Sequence, residues 1–91
     1  YSIKCSSPIC IKVGGSYKIF SVQEYSNNDV FSWAVNGLDP DQYSSIFNED
    51  NSAVFKLKAS KDYSLVGKTF YLELYYKEKL VDKINVKVVS I

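Results

Sequence analysis

The side chains that could carry out chemistry in this chain are few, and their types exclude most catalytic arrangements. The 91 residues include no histidine, and all eleven basic residues are lysines. Catalysis through an imidazole base is therefore excluded, and a nucleophilic serine would need a less common base such as lysine. Because no Ser–Lys pairing signature stands out, we expect no catalytic residues, no cofactor and no enzymatic activity.

Paired carboxylates occur at two places, Asp39-Pro40-Asp41 and Glu49-Asp50. Both pairs lie among residue types that turns select for their backbone geometry. A calcium site at Asp39 and Asp41 would suit the preference of hard cations for several oxygen ligands. The segment lacks the further acidic ligands of a recognisable calcium loop, so we predict solvated turns at both places and no metal site.

The only two cysteines, Cys5 and Cys10, lie close together in the sequence. A tetrahedral zinc site needs four ligands, and the chain contains no other thiol and no imidazole to complete one. Two interpretations stay open. The cysteines are small apolar residues, or they form one local disulfide if the domain is extracellular.

Two tyrosines, Tyr71 and Tyr75, are the best candidates for an interaction surface. They lie on the same side of an alternating segment, with lysines nearby in the sequence. Tyrosine is favoured in interfaces and as a platform for sugars because its ring buries a large area at little entropic cost. The alternative is that the two rings pack under a loop or against the stems of lysines on a neighbouring strand.

The elements that carry these tyrosines are predicted from alternation with period two. Residues 70–76 alternate apolar side chains with Tyr71, Glu73 and Tyr75, which is typical of a strand. Residues 80–91 alternate in the same way, with Ile84 and Val86 on one side. Only a short polar segment separates the two, so we predict a β-hairpin.

The rest of the chain follows the same rhythm. We predict a strand at 53–58, then a short helical turn within 60–67. Further strands are predicted at 16–25, 30–35 and 43–47, and a split edge strand at 3–5 and 9–13, interrupted by Pro8. About seven short strands without sustained helical periodicity predict an all-β, mostly antiparallel sandwich of two sheets.

Composition and length favour a single folded domain over residues 1–91. Hydrophobic residues make up 46% and aromatic residues 15% of the chain, enough apolar surface to offset the entropy lost on folding. The absence of methionine leads us to expect a fragment of a longer protein. The predicted core consists of Ile19, Trp33, Phe55, Leu57, Phe70, Leu72, Leu74, Ile84 and Val86.

Charge and hydropathy exclude two classes of partner. The net charge is +1 and the lysines are spread along the chain, so the basic patch expected of a nucleic-acid-binding protein is missing. The longest apolar stretch, residues 70–76, is interrupted by Glu73 and is far shorter than the roughly 20 residues that a membrane span requires. We therefore expect no nucleic-acid partner and no membrane insertion.

Three segments together resemble bacterial immunoglobulin-like domains, and most closely those appended to phage structural proteins. They are Gly14-Gly15-Ser16-Tyr17-Lys18, Phe31-Ser32-Trp33-Ala34-Val35 and Leu65-Val66-Gly67-Lys68-Thr69-Phe70. The resemblance implies an immunoglobulin-like sandwich with a glycine turn before its strand B, a tryptophan of strand C in the core and a loop closed by glycine before strand F.

The chain departs from antibody domains at two positions. Antibody domains join strands B and F by a disulfide beside the tryptophan. The resemblance implies that Ile19, which lies fourteen residues before Trp33, and Leu72 occupy the comparable places and that apolar packing replaces the covalent link. Phe70 opens strand F in place of a tyrosine, so the hydroxyl contact of a tyrosine corner is missing at that position.

The resemblance implies a non-catalytic structural or adhesion module of a phage virion protein, in the head or the tail. Its expected partners are other domains or subunits of the parent protein and cell-surface carbohydrate, and its expected location is the virion. One alternative is a spacer or adhesive repeat of a bacterial cell-surface protein, located at the cell surface. Another is an accessory wall-binding domain of a hydrolase.

Overall fold

Eight β-strands form two four-stranded sheets in the computed structural model, which describes residues 1–91. Three 3-10 turns, Pro40–Gln42, Glu49–Asn51 and Tyr63–Leu65, are its helical segments, and none has the length and apolar character needed to cross a bilayer. The prediction of an all-β chain is confirmed. The strands are β1 (Ser2–Lys4), β2 (Cys10–Lys12), β3 (Lys18–Gln23), β4 (Phe31–Asn36), β5 (Tyr43–Phe47), β6 (Val54–Ala59), β7 (Thr69–Tyr76) and β8 (Lys79–Val89).

The first sheet has the strand order β1-β3-β6-β5, and the second has the order β2-β8-β7-β4. Neighbouring strands are antiparallel, except that β2 runs parallel to β8. The predicted hairpin is β7 and β8, which pair from Thr69 opposite Lys87 to Tyr76 opposite Lys79. Lys77 and Glu78 both have positive φ at its tip, as a two-residue type I′ turn requires.

The segment predicted as one split edge strand is divided between the two sheets. β1 pairs with β3 in the first sheet, whereas β2 pairs with β8 in the second. The connection contains Pro8, which lacks the N–H group that a continuous ladder would need. This division gives eight strands where the alternation predicted about seven.

The main hydrophobic core draws side chains from both sheets. Phe20, Phe55 and Leu57 come from the first sheet, and Leu72 and Val86 from the second. Each is buried, and burial of such a side chain contributes about 1.5–3 kcal/mol. Six of the predicted core residues are buried: Phe55, Leu57, Phe70, Leu72, Leu74 and Val86.

The prediction that Ile19 lies in the core is wrong, because this side chain is 55% exposed. Ile19 is paired with Lys56 on the outer face of the first sheet, and its neighbour Phe20 is buried in its place. Strand alternation allows only one of two successive residues to face inward. Trp33 and Ile84 are half-buried and pack against the edge of the core.

The predicted helical turn before β7 is the 3-10 turn Tyr63–Leu65. The side chain of Asp62 caps it by accepting hydrogen bonds from the Ser64 hydroxyl at 2.7 Å and the Ser64 N–H at 3.0 Å, and these bonds lower the pKa of Asp62. Leu65 is buried in the core, and Gly67 leaves the turn with a φ of 93° that favours glycine. The turn thereby sets the start of β7.

Candidate interaction surface

The outer face of the second sheet carries both predicted interaction residues. Three cross-strand rows make up this surface, which we call the tyrosine face. The rows are Asn36–Tyr71–Asn85, Ala34–Glu73–Lys83 and Ser32–Tyr75–Leu80.

Tyr71 and Tyr75 face outward because Phe70, Leu72 and Leu74 take the buried positions of β7. Tyr71 is 42% exposed, and Tyr75 is half-buried. Four residues of a strand separate the two by about 13 Å. The structure therefore brings them to one face as two separate contact points.

Lys83 holds the ring of Tyr71 from the neighbouring strand. Its ammonium nitrogen lies 4.8 Å from the ring centroid, a cation–π contact of the kind that contributes about 0.5–1 kcal/mol at an exposed site. The lysine packing that the sequence offered as an alternative is thus present at Tyr71. It orients the ring and still leaves 42% of the residue accessible.

Tyr75 is oriented by Glu73 on the same strand. The hydroxyl of Tyr75 donates a hydrogen bond of 3.0 Å to Oε1 of Glu73, and this bond is the main reason that the pKa of Tyr75 is raised. A phenol with a raised pKa stays neutral throughout the physiological pH range. Tyr75 therefore presents an uncharged ring with a polar tip.

A register shift between Leu74 and Tyr75 extends the tyrosine face with an apolar residue. Leu74 lies opposite Asp82, whereas Tyr75 lies opposite Leu80, so β8 contributes one extra residue at this point. Leu80 is 47% exposed beside Tyr75. Before the shift, Asp82 lies opposite inward-facing Leu74 and points towards the first sheet, where its Oδ2 accepts the Ile3 N–H at 2.7 Å.

A second aromatic group at one end of the molecule was not predicted from the sequence. In this end cluster the ring of Tyr1 lies 5.0 Å from Phe31 and 4.7 Å from Tyr76, and Tyr25 meets Phe31 edge-on at 6.2 Å. Asp29 accepts hydrogen bonds from the hydroxyls of Tyr1 at 2.7 Å and Tyr76 at 3.0 Å. These residues are far apart in the sequence, so no local pattern indicates that they meet.

Asp29 holds the end cluster together through both of its carboxylate oxygens. The Ser26 N–H, at 2.9 Å, contributes most to lowering the pKa of Asp29, and the Tyr1 hydroxyl adds to the effect. The hydrogen bond from the Tyr1 hydroxyl to Asp29 is also the main reason that the pKa of Tyr1 is raised. The carboxylate is thus stabilised in its charged form, and its hydrogen bonds link Tyr1 to the loop that contains Ser26.

A shallow depression joins the tyrosine face to the end cluster. It has a volume of about 370 Å³, and its lining includes Tyr75, Tyr76 and Val30. Asn28, Ser32 and Lys77 contribute polar groups to the same lining. Val30 is 70% exposed, so the depression is accessible from solvent.

The other candidate residues serve local structure. Asp39 and Asp41 flank the start of a 3-10 turn, in which the Asp39 N–H donates to Oε1 of Gln42 at 2.8 Å. Glu49 and Asp50 belong to another 3-10 turn, and the side chain of the preceding Asn48 accepts the Asp50 N–H. No three His, Cys, Asp or Glu side chains lie close enough to hold a metal ion.

The two cysteines are free thiols in the structure. Cys10 is buried, whereas Cys5 is half-buried. Burial is the main reason that the pKa of the Cys5 thiol is raised. Of the two interpretations offered by the sequence, the geometry corresponds to small apolar residues.

Comparisons with protein-family models, with curated proteins and with solved structures find no match to this chain.

Proposed function

We propose that this chain is a non-catalytic, immunoglobulin-like structural and adhesion module of a phage virion protein. In this proposal the tyrosine face and the adjoining depression contact cell-surface carbohydrate or neighbouring subunits. The observation that carries the proposal is the depression of about 370 Å³ beside Tyr75 and Tyr76, where aromatic rings and polar side chains meet at an accessible surface.

The strand order supports the immunoglobulin-like part of the proposal. Constant-type immunoglobulin domains have sheets of order A-B-E-D and C-F-G. If β1 and β2 are two halves of the first strand, the orders β1-β3-β6-β5 and β8-β7-β4 correspond to those two sheets. Trp33 on β4 stacks on Phe55 of the opposite sheet at 5.4 Å, in keeping with the core tryptophan of strand C.

The chemistry of the depression supports a carbohydrate ligand. A sugar ring has apolar C–H faces that pack on aromatic rings, and hydroxyl groups that exchange hydrogen bonds with amide, hydroxyl and ammonium groups. The rings of Tyr75 and Tyr76 and the polar groups of Asn28, Ser32 and Lys77 match these needs.

The open shape of the site fits a module that works in many copies. A shallow site buries little of its ligand, so each contact is weak. Copies held on one particle bind the same target surface at the same time. The overall avidity of such linked contacts is about 10²–10⁴ times the affinity of a single contact. A repeated virion protein satisfies this requirement, as would a bacterial cell-surface repeat or an accessory wall-binding domain of a hydrolase.

The contact is tested with a Tyr71→Ala/Tyr75→Ala double variant and intact bacterial cell walls in a sedimentation binding assay. We expect binding to weaken at least tenfold, because truncation of an interface anchor typically costs more than about 1 kcal/mol. The matched control is Tyr63→Ala, since Tyr63 is 60% exposed in a 3-10 turn outside the face. Wild-type binding by the double variant would refute the assignment of the face.

The virion setting is tested separately by the genomic context of the parent gene. A gene within a cluster of head and tail genes would support it. Tandem copies of the domain behind an export signal would instead favour a repeat of a bacterial cell-surface protein. A catalytic domain in the same polypeptide would favour an accessory domain of a wall hydrolase.

A further inference from the structure

The two outer strands of the first sheet, β1 and β5, differ in how well they are protected from pairing with a further strand. In β1 the Ile3 N–H points away from β3, and the carboxylate of Asp82 accepts it at 2.7 Å. β1 also carries a charged residue, Lys4. Charged side chains and covered backbone groups prevent an outer strand from pairing with another chain.

The backbone groups of β5 that face away from the sheet follow from the hydrogen-bond pattern. The Ser60 N–H donates to the Gln42 carbonyl at 3.0 Å, so this pair is a hydrogen-bonded one. Because hydrogen-bonded pairs alternate along an antiparallel ladder, Ser44 and Ile46 bond to β6. The N–H and C=O groups of Tyr43, Ser45 and Phe47 therefore point outward.

The neighbouring ladder gives the same assignment. The Val22 N–H donates to the Ala53 carbonyl at 2.9 Å, which makes the odd-numbered residues of β6 bond to β3. The even-numbered residues Lys56 and Lys58 then remain for Ile46 and Ser44 of β5. Two independent hydrogen bonds thus agree on which side of β5 is free.

The side chains of β5 lack two usual protections of an outer strand. Its sequence is Tyr-Ser-Ser-Ile-Phe, without charge or proline. Ile46 is 47% exposed and Phe47 is 41% exposed. An exposed, uncharged outer strand is a template for pairing with a further strand.

We propose that β5 pairs antiparallel with β5 of a second copy of this chain about a twofold axis. With Ser45 opposite Ser45 of the other copy, Tyr43 lies opposite Phe47, and the outward backbone groups of all three residues meet. Each such pair exchanges two N–H···O bonds. The first sheets of the two copies then join into one continuous sheet.

The second copy is the occupant because the strand is complementary to itself in this register. Aromatic Tyr43 meets aromatic Phe47, and Ser44 meets Ile46, so no charge faces a like charge within the five paired residues. Lys56 of one copy lies in the same cross-strand row as Lys58 of the other, and three strand spacings, about 14 Å, separate them. Physiological salt screens charges beyond roughly 8 Å.

The outer strands of the second sheet are less suited to this role, and β2 has only three residues and ends in Lys12. In β4 the Phe31 N–H is already donated to Oγ of Ser52 at 2.9 Å. The pairing through β5 also leaves the tyrosine face uncovered, because that face belongs to the second sheet. A dimer would thus present two such faces, an arrangement that goes beyond the proposed function and does not depend on it.

The test is sedimentation equilibrium of the 91-residue chain over roughly 10 μM to 1 mM, the range suited to a small interface. We expect the mass to rise from 10.3 kDa towards twice that value. Ser45→Lys should weaken association up to about fivefold, because it places two like-charged side chains directly opposite each other across the axis, on Cα atoms about 5.5 Å apart. Ser32→Lys, the same change at an exposed position of β4, should leave association unchanged.

A second variant separates association from folding. The Ser45 N–H has no partner within the monomer, so Ser45→Pro should abolish the dimer and keep the melting temperature of the monomer. Hydrogen exchange should show protection of the Ser45 and Phe47 amides that grows with protein concentration.

Four results would overturn the proposal. The first is a monomer over the whole concentration range, and the second is an equal effect of Ser45→Lys and Ser32→Lys on association. The third is concentration-dependent protection of the Trp33 and Val35 amides from hydrogen exchange instead of the Ser45 amide. The fourth is protection of the Ser45 amide only when an extended peptide is added to a monomeric chain. The last result would assign the edge to a different partner.

Discussion

Replacement of Ser52 by alanine tests the polar link between the two sheets. Ser52 is the one buried polar residue, at 5% exposure, and it precedes β6 of the first sheet. Its hydroxyl accepts the Phe31 N–H at 2.9 Å, and its carbonyl accepts the Trp33 indole N–H at 2.8 Å. Both donors belong to β4 of the second sheet, so Ser52→Ala removes one of the two bonds that join Ser52 to that sheet.

The expected loss follows from the donor that is left behind. Phe31 is only 2% exposed, so its N–H would have neither protein nor bulk water as an acceptor. An unsatisfied buried donor costs about 1–3 kcal/mol. The bond from Trp33 goes to the backbone and survives the change. The total stability of a chain of this size is about 5–14 kcal/mol, so the loss is a substantial fraction of it.

The assay is equilibrium unfolding in urea, followed by the fluorescence of Trp33, the only tryptophan. With a slope of about 1 kcal/mol per molar urea, the midpoint should fall by about 1–3 M without a change in slope. Ser32→Ala is the control, because Ser32 is exposed on the same strand as Phe31 and its replacement should change stability by less than about 0.5 kcal/mol.

The reasoning would be refuted by a Ser52→Ala variant that unfolds within about 0.5 kcal/mol of the wild type. That result would mean that the Phe31 N–H finds another acceptor or lies in contact with water. A large loss in Ser32→Ala would contradict the argument in a different way, because it would show that the assay does not distinguish buried from exposed serines.

Two further predictions concern the core and the end cluster. Leu72→Ala should lower the free energy of unfolding by about 2–5 kcal/mol, because the Leu72 side chain is buried in the core. Ile19→Ala should lower it by less than about 1 kcal/mol, because Ile19 is exposed. Equal losses of the two variants in urea unfolding would contradict the assigned faces. Because the pKa of Asp29 is lowered from 3.8, its contribution is present above that pH and is lost as the pH falls through the lowered value. The urea midpoint should therefore fall less steeply below about pH 4 in Asp29→Asn than in the wild type. Identical pH profiles of the two proteins would show that the hydrogen bonds of the Asp29 carboxylate add no stability.

The strands nearest to the tyrosines were predictable because period-two alternation is a local property. Phe70, Leu72 and Leu74 are buried and Tyr71 is exposed, as the pattern in β7 indicates. The turn at Tyr63–Leu65 was predictable for the same reason, since its cap and its closing glycine are neighbours in the sequence.

The error at Ile19 came from spacing rather than from alternation. The resemblance placed Ile19 by its distance from Trp33, but one residue of offset reverses the face of a strand. The alternation in β3 itself is satisfied by Phe20 and Val22, both of which are buried. A local pattern was thus more reliable here than a spacing carried over from other proteins.

By itself the sequence determined an all-β chain, the hairpin of β7 and β8, and the common face of Tyr71 and Tyr75. Only the tertiary structure decided the division of the first strand between two sheets, the end cluster around Asp29, and the free edge of β5. The physical reason is that alternation specifies which side chains of a strand point the same way. Which strand lies beside it, and which backbone groups stay unpaired, depends on residues far away in the chain.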